Sequence, residues 1–305
     1  MAASKETVGF IGLGLMGHGM AKNLVDKGYA LSIYARTPGD AAADLQQRGA
    51  TLRGSVAEVA QHASVVFLCV TGSRDVESIV RGNHGLLAGL EHGSVVVDCS
   101  TSDPTSTTVL AAELAEIGAH LVDAPLSRTP KEAWAGTLDT MVGADPAVFA
   151  RIEPLLQTWA GRIVHVGPPG TGHRMKLINN FVSLGYAAVY AEALTLAQAV
   201  GITPDMFDAV IRNGRMDCQF YQTFMEYTLN GNKEAHKFTL TNAFKDLRYL
   251  ESMADDAGVA NSMGNAVKNA FGMAHRQGGP QAMVPMLPSL VAALSGVKLG
   301  GAEPG

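Results

Sequence analysis

Three glycines, at positions 12, 14 and 17, follow directly on the run Val8-Gly9-Phe10-Ile11. Their spacing is the first chemistry the chain offers. Gly12 permits a tight turn, Gly14 lets backbone approach a pyrophosphate, and Gly17 lets the next helix pack on the strand with its N-terminal amides facing the anion. Leu15 and Met16 complete the loop. A glycine triad alone is a weak signal, but this one opens a series of alternating strand and helix patterns, so a dinucleotide is the expected ligand. Val70, closing a later apolar run of that series, is expected at the same crevice.

The second strand should select the dinucleotide. A site for NAD usually ends this strand in an acidic residue that accepts from the ribose hydroxyls. This chain reads Tyr34-Ala35-Arg36-Thr37-Pro38 instead. Arg36 can pair with a 2′-phosphate and Thr37 can donate to it, so NADP is expected, with NAD possible. A solvated loop arginine is the alternative.

Lys176 and Asn180 stand four residues apart, so on a helix both can face one space. Hydride transfer at a hydroxyl-bearing carbon needs a group that takes a proton on oxidation and returns it on reduction. An ordinary lysine, near ~10.4, is a poor base. Burial and the positive end of the helix are expected to weaken its ammonium form. A surface lysine near a helix start is the reading without chemistry.

Elements must position these residues. Short β-branched runs at 8–11, 31–34, 65–70, 95–99 and 120–124 alternate with helical patterns such as 104–117, followed by a helix over 146–159 and a strand over 163–166. That is the pattern of a mostly parallel, doubly wound α/β sheet. After Gly167 the patterns turn helical: 175–200, 205–212, 241–257, 263–272 and 288–294. The expected division is therefore an α/β domain over 1–167 and an all-α domain over 168–305, with Thr171 capping the long first helix after a Gly/Pro-rich hinge.

Six segments in order carry a family resemblance. They are Gly9-Phe10-Ile11-Gly12-Leu13-Gly14-Leu15-Met16-Gly17, Asp98-Cys99-Ser100-Thr101, Asp123-Ala124-Pro125-Leu126-Ser127, Gly136-Thr137-Leu138 with Met141-Val142-Gly143, Lys176-Leu177-Ile178-Asn179-Asn180, and Lys245-Asp246-Leu247. Together they resemble the β-hydroxyacid dehydrogenases, a group that includes 3-hydroxyisobutyrate dehydrogenase, tartronate semialdehyde reductase and sulfolactaldehyde reductase. The resemblance implies an N-terminal Rossmann dinucleotide-binding domain, a long interdomain helix and an all-α C-terminal domain for substrate and oligomer contacts. It implies that Lys176 transfers the proton and that Asn180 holds it or the substrate oxygen. Ser100 and Thr101 would lie near the nicotinamide, and Lys245 and Asp246 would close over cofactor and substrate.

One segment departs from the family. Its members commonly follow the serine of the Asp-Ala-Pro segment with two glycines that cradle a carboxylate, whereas this chain has Ser127-Arg128-Thr129-Pro130. A guanidinium there adds a permanent, planar donor. Ser127, Arg128, Thr129, Asn180 and Asp246 are thus the expected substrate contacts, with a small anionic aldehyde or hydroxy acid as substrate, its head group carrying more negative charge or more oxygens than a simple carboxylate, such as a sulfonate or a second carboxylate. The Arg-Thr pair resembles the sulfolactaldehyde reductase branch. Pairing of Arg128 with Glu132 is the bland alternative, and Arg174 and Arg215 are open candidates for the same site.

Composition bounds the rest. The 305 residues carry 23 Lys and Arg against 28 Asp and Glu, and 47% are hydrophobic. Such a balance argues against a bulk nucleic-acid or membrane-surface binder. Cys69, Cys99 and Cys218 form no Cys-x-x-Cys pair, no histidine pair has metal spacing and no signal peptide is visible, so a reduced cytoplasmic enzyme without metal is expected. The methionine-rich stretch 283–287 is expected to be exposed and to support a homodimer or homotetramer. Imine or other carbonyl reduction on the same scaffold, and a non-catalytic dinucleotide sensor, are the competing functions.

Overall fold

Uninterrupted apolar runs become strands because both of their faces are covered. In the computed structural model, which describes residues 6–299, the first part of the chain runs β1 (Val8–Ile11), α1 (Gly17–Asp26), β2 (Leu31–Tyr34), α2 (Asp40–Gln47), β3 (Thr51–Leu52), α3 (Val56–Gln61), β4 (Val65–Leu68), α4 (Ser73–Arg81), β5 (Val95–Asp98), α5 (Pro104–Glu116) and β6 (His120–Asp123). It continues as β7 (Leu126–Ser127), α6 (Pro130–Ala135), β8 (Leu138–Gly143), α7 (Pro146–Leu156) and β9 (Ala160–Gly167).

Six strands lie parallel in the order β3-β2-β1-β4-β5-β6. The order reverses between β1 and β4, which opens a crevice at their carboxyl ends. Past β6 the sheet changes direction: β8 runs antiparallel to β6 and β7, and β9 parallel to β8. One face is filled by Met20, Leu24, Ile33, Phe67 and Trp159, the other by Val59, Leu68, Val80, Leu110 and Leu114, all buried. The architecture is the Rossmann-like α/β sheet with a helical second part.

That second part comprises α8 (Thr171–Ala199), α9 (Pro204–Ile211), α10 (Gln219–Asn230), α11 (Leu240–Asp256), α12 (Ser262–Gly278) and α13 (Leu287–Leu294). Leu184, Tyr221, Phe224, Leu247, Phe271 and Leu287 form its core. Sequence periodicity misses α10, whose Phe220, Tyr221 and Thr223 are indifferent helix formers. Its ends are nevertheless marked: Cys218 Sγ accepts from the Tyr221 amide at 3.4 Å, and Gly231 stops it in the left-handed conformation.

Two expectations need correction. The stretch 283–287 is not exposed: Val284 and Leu287 are fully buried in the helical core, while Thr239 and Met283 form an isolated antiparallel bridge. Thr171 does not cap α8 with its side chain, because its hydroxyl donates to the Pro168 carbonyl at 2.7 Å. The chain divides into its two compact units between Lys176 and Leu177, within α8. The first turn of that helix is fitted into the first unit, where a Cβ on Gly172 would stand 2.5 Å from the Met141 carbonyl oxygen.

Candidate active site

The three glycines of the first turn meet three separate demands. Gly12 has φ 97°, and a Cβ there would lie 2.2 Å from the carbonyl oxygen of Cys69. A Cβ on Gly17 would lie 1.9 Å from the carbonyl oxygen of Gly12. Gly14 is different: nothing stands within 4 Å of its Cβ position, which is open space of the kind a pyrophosphate needs. Helix α1 begins at Gly17 with neither a side-chain cap nor an acidic residue in its first turn, so no side chain of its own competes with an anion there. Leu15, beside Gly14, is 72% exposed. The residues present fit a dinucleotide, which Gly12, Gly14, Leu15, Met16 and Gly17 would hold by backbone. Arg36 and Thr37 are exposed just beyond β2, at the carboxyl edge of the sheet.

Across the crevice, the ends of β4 and β5 are tied together. The Val70 amide donates to Ser100 Oγ at 3.0 Å, the Ser100 amide to Asp98 Oδ1 at 2.8 Å, and Ser102 Oγ to Asp98 Oδ2 at 2.8 Å. Thr101 sits half-buried between the two serines. Burial pushes the Cys69 thiol up to about 12, helped by the Asp98 carboxylate, and raises Cys99 as well. Burial thus disfavours the thiolate form of both cysteines.

Lys176 stands in the second turn of α8 and is 9% exposed. The start of that helix is anchored by a buried carboxylate: Asp123 Oδ1 accepts from the Gly170 amide at 2.6 Å and Oδ2 from the His173 amide at 2.7 Å. The helix end is therefore already met by an anion, and it is not the free positive pole beside Lys176 that the sequence suggested. His173, fully buried, lies one turn before Lys176. Its Nε2 donates to the Ser100 carbonyl at 3.1 Å, and its Nδ1 lies 2.7 Å from Thr107 Oγ1. Through His173 the first turn of α8, one turn before Lys176, is pinned to the loop that carries Ser100 and Thr101.

Ser127 closes β7 opposite Asp139 of β8. Its Oγ is buried with no hydrogen-bond partner among the described residues. Arg128 follows in the left-handed conformation, φ 86°, and its Nε pairs with Asp139 Oδ2 at 3.0 Å. The partner is thus Asp139 and not Glu132. Glu132 instead closes a capping box with Thr129, and its carboxyl is lowered by the Thr129 hydrogen bonds against the opposing effect of burial. The Thr129 hydroxyl is engaged in that cap, and α6 follows at once.

The short helix α6 is docked on α1. Asn23 Nδ2 donates to the carbonyls of Ala133 at 2.9 Å and Trp134 at 3.3 Å, the orphan acceptors at the end of α6. Gly19, one turn earlier, has room for no side chain: its Cβ would lie 2.7 Å from the backbone of Ala133 and Trp134.

In the second unit, Asn180 Nδ2 donates to Asp246 Oδ2 at 2.7 Å, both residues being buried. Lys245 Nζ lies 3.1 Å from Asp246 Oδ1 and 5.1 Å from the Tyr249 ring centre. Arg212 is bound by Asp208 at 2.7 Å, whereas Arg174 and Arg215 are exposed. Sequence reasoning overlooks His173, Asp139, Gly19 and Asn23. A histidine in the first turn of a glycine-flanked helix was the one available signal.

Residues 7–167 match the family described as the NAD binding domain of 6-phosphogluconate dehydrogenase, and residues 170–287 that described as NAD-binding of NADP-dependent 3-hydroxyisobutyrate dehydrogenase. The chain is 35% identical over 240 residues to the 2-(hydroxymethyl)glutarate dehydrogenase of Eubacterium barkeri, covering 79% of each chain. It is 29% identical to the 3-sulfolactaldehyde reductase of Escherichia coli K12, covering 89% of this chain and 91% of the other. Among solved structures, Mycobacterium tuberculosis 3-hydroxyisobutyrate dehydrogenase with L-serine superposes with a TM-score of 0.84 at 25% identity, covering 95% of this chain and 99% of that one. An imine reductase from Myxococcus stipitatus in complex with NADP+ shares the fold alone, at 17% identity and a TM-score of 0.60 over 93% of this chain and 99% of that one.

Proposed function

The chain belongs to the β-hydroxyacid dehydrogenase family, NAD(P)-dependent dehydrogenases acting on CH–OH, and from that premise we propose that it interconverts a short anionic 3-hydroxy acid, or a sulfonate analogue, and its semialdehyde, with Lys176 as the proton-transfer residue and NADP as the preferred cofactor. The observation that carries this reading is Lys176: a nearly buried amine, one turn beyond the histidine that is bonded to the cofactor-side loop at Ser100.

The dinucleotide, when bound, supplies or receives the hydride. Lys176 Nζ gives its proton to the substrate oxygen as the aldehyde becomes an alcohol, and takes it back in the other direction. Asn180, oriented by Asp246, follows Lys176 by one helical turn and is its partner in that exchange. Ser127 Oγ and the outer nitrogens of Arg128 receive the anionic head group. Ser100, Thr101 and Val70 would hold the nicotinamide side, Val70 being tied to Ser100 by its amide.

Lys176→Ala should lower kcat by about 10²- to 10⁴-fold while dinucleotide affinity stays close to that of the parent. Lys176→Arg should be nearly as inactive, since a guanidinium does not release its proton at working pH. Steady-state turnover together with cofactor titration checks both, and near-parental turnover in either variant refutes the assignment. Imine reduction on this scaffold is the competing chemistry, and turnover of cyclic imines that survives Lys176→Ala would decide for it.

The cofactor preference rests on Arg36 and Thr37 standing where an acidic ribose reader would be. Arg36→Asp should cut kcat/KM for NADPH by roughly ten- to a hundredfold, and a parental preference for NADH would overturn it. We also infer a cytoplasmic homodimer or homotetramer. The three free cysteines suit a reducing compartment, and no helix of the described residues is long and apolar enough to cross a membrane. Ile178, Val182, Tyr186, Val189 and Leu196 form an exposed apolar stripe along α8, which supports self-association.

A further inference from the structure

Asp139 has no role in the reading above, yet it faces the residue that sets this chain apart. It lies directly opposite Ser127 in the antiparallel pairing of β7 and β8, so the two side chains share a face of the sheet. A regular strand would carry the next residue, Arg128, to the other face. The left-handed φ of 86° turns it back, and its Nε meets Asp139 Oδ2 at 3.0 Å. The other carboxylate oxygen, Oδ1, is buried with no hydrogen bond among the described residues; Arg128 is the ion-pair partner of this carboxylate, and Arg162 is its register partner on β9. Glu132 also lies near Arg128 but is engaged by Thr129 in the cap of α6.

We propose that Asp139 is a specificity-determining residue: by pairing with Arg128 across from Ser127 it holds the head-group end of the substrate loop near neutral charge, and so favours a substrate with one anionic group over one with two. The proposal rests on the reading that Ser127 and Arg128 receive the head group. A guanidinium already balanced by a carboxylate keeps its outer donors for one anion, carboxylate or sulfonate. It lacks the uncompensated charge that would hold a second anion against the repulsion of Asp139.

Two alcohols make the test direct. 3-Hydroxyisobutyrate and 2-(hydroxymethyl)glutarate each carry a hydroxymethyl group on the carbon that bears a carboxylate, and the second adds an arm ending in another carboxylate. The parent should prefer the first, and Asp139→Asn should raise the kcat/KM ratio of the dicarboxylate to the monocarboxylate on the order of tenfold. In an Arg128→Gly background the same change should leave the ratio unmoved, since the charge it releases is gone. Asp139→Ser repeats the test should Asp139→Asn fold poorly, with cofactor titration reporting an intact first unit. An unchanged ratio in Asp139→Asn, while Arg128→Gly alone alters substrate preference, overturns the role of Asp139 and leaves the head-group reading standing. If Arg128→Gly depresses both substrates alike, the head-group reading fails and this proposal with it.

Discussion

Gly12 at φ 97° and Arg128 at φ 86° both adopt the left-handed backbone in the first unit, and they meet its cost in different ways. At Gly12 the carbonyl of Cys69 fills the space where a side chain would begin, so glycine is required by the fold itself. At Arg128 the surroundings are open, with the side chain 47% exposed, and a residue unsuited to this conformation is kept there at a cost of roughly 1 kcal/mol or more. The first turn is shaped by what must be absent and the second by what must be present. A ligand that meets backbone is served by the former, and one that meets a charged side chain by the latter.

Substitutions can break this contrast in order of size. Gly12→Ala should have the largest effect: a backbone contact at 2.2 Å and an unfavourable φ together should cost several kcal/mol, about 3 or more, with cofactor binding lost in step. Thermal melts and dinucleotide titration check this, and a variant that melts like the parent would show that the turn can relax. Gly14→Ala should separate ligand from fold, because its Cβ meets nothing within 4 Å. Its stability should remain within about 0.5 kcal/mol of the parent, while dinucleotide affinity falls roughly tenfold or more from the lost close approach. Arg128→Gly should also change stability little. Relief of the backbone is offset by a more flexible unfolded chain and by the loss of an exposed ion pair, for a net change within about 1 kcal/mol. A large destabilisation would mean that Arg128 is a structural residue and that the contrast with Gly12 is false.

The same pair of turns explains what could be read in advance. The demands on Gly12, Gly14 and Gly17 arise within a few residues of sequence, so their spacing reveals them, as do the buried runs of the parallel strands. The partner of Arg128 could not be found that way. It depends on the register of β7 against β8, and β7 has two residues, too few for an alternating pattern to declare a face. His173 is hidden for a related reason, since its partners Thr107 and Ser100 lie 66 and 73 positions away. The stretch 283–287 does not reveal its burial in sequence because apolar residues need a cover without naming it, and the helical core supplies that cover from within the chain. Thr171 has the right residue type for a cap, but a carboxylate from β6 occupies the place its hydroxyl would have taken.

The seat of α6 on α1 bears on any attempt to graft substrate preference from one relative to another. The segment from Ser127 to Thr129 cannot be exchanged as a free cassette, because the helix it leads into rests on Gly19 and is gripped at its far end by Asn23. A donor loop with a bulkier follow-on helix would press on α1, the element proposed to present its N-terminus to the cofactor. A successful transplant has to carry the residues at positions 19 and 23 along with the loop, although more than a hundred positions of sequence separate Asn23 from Ala133 and Trp134.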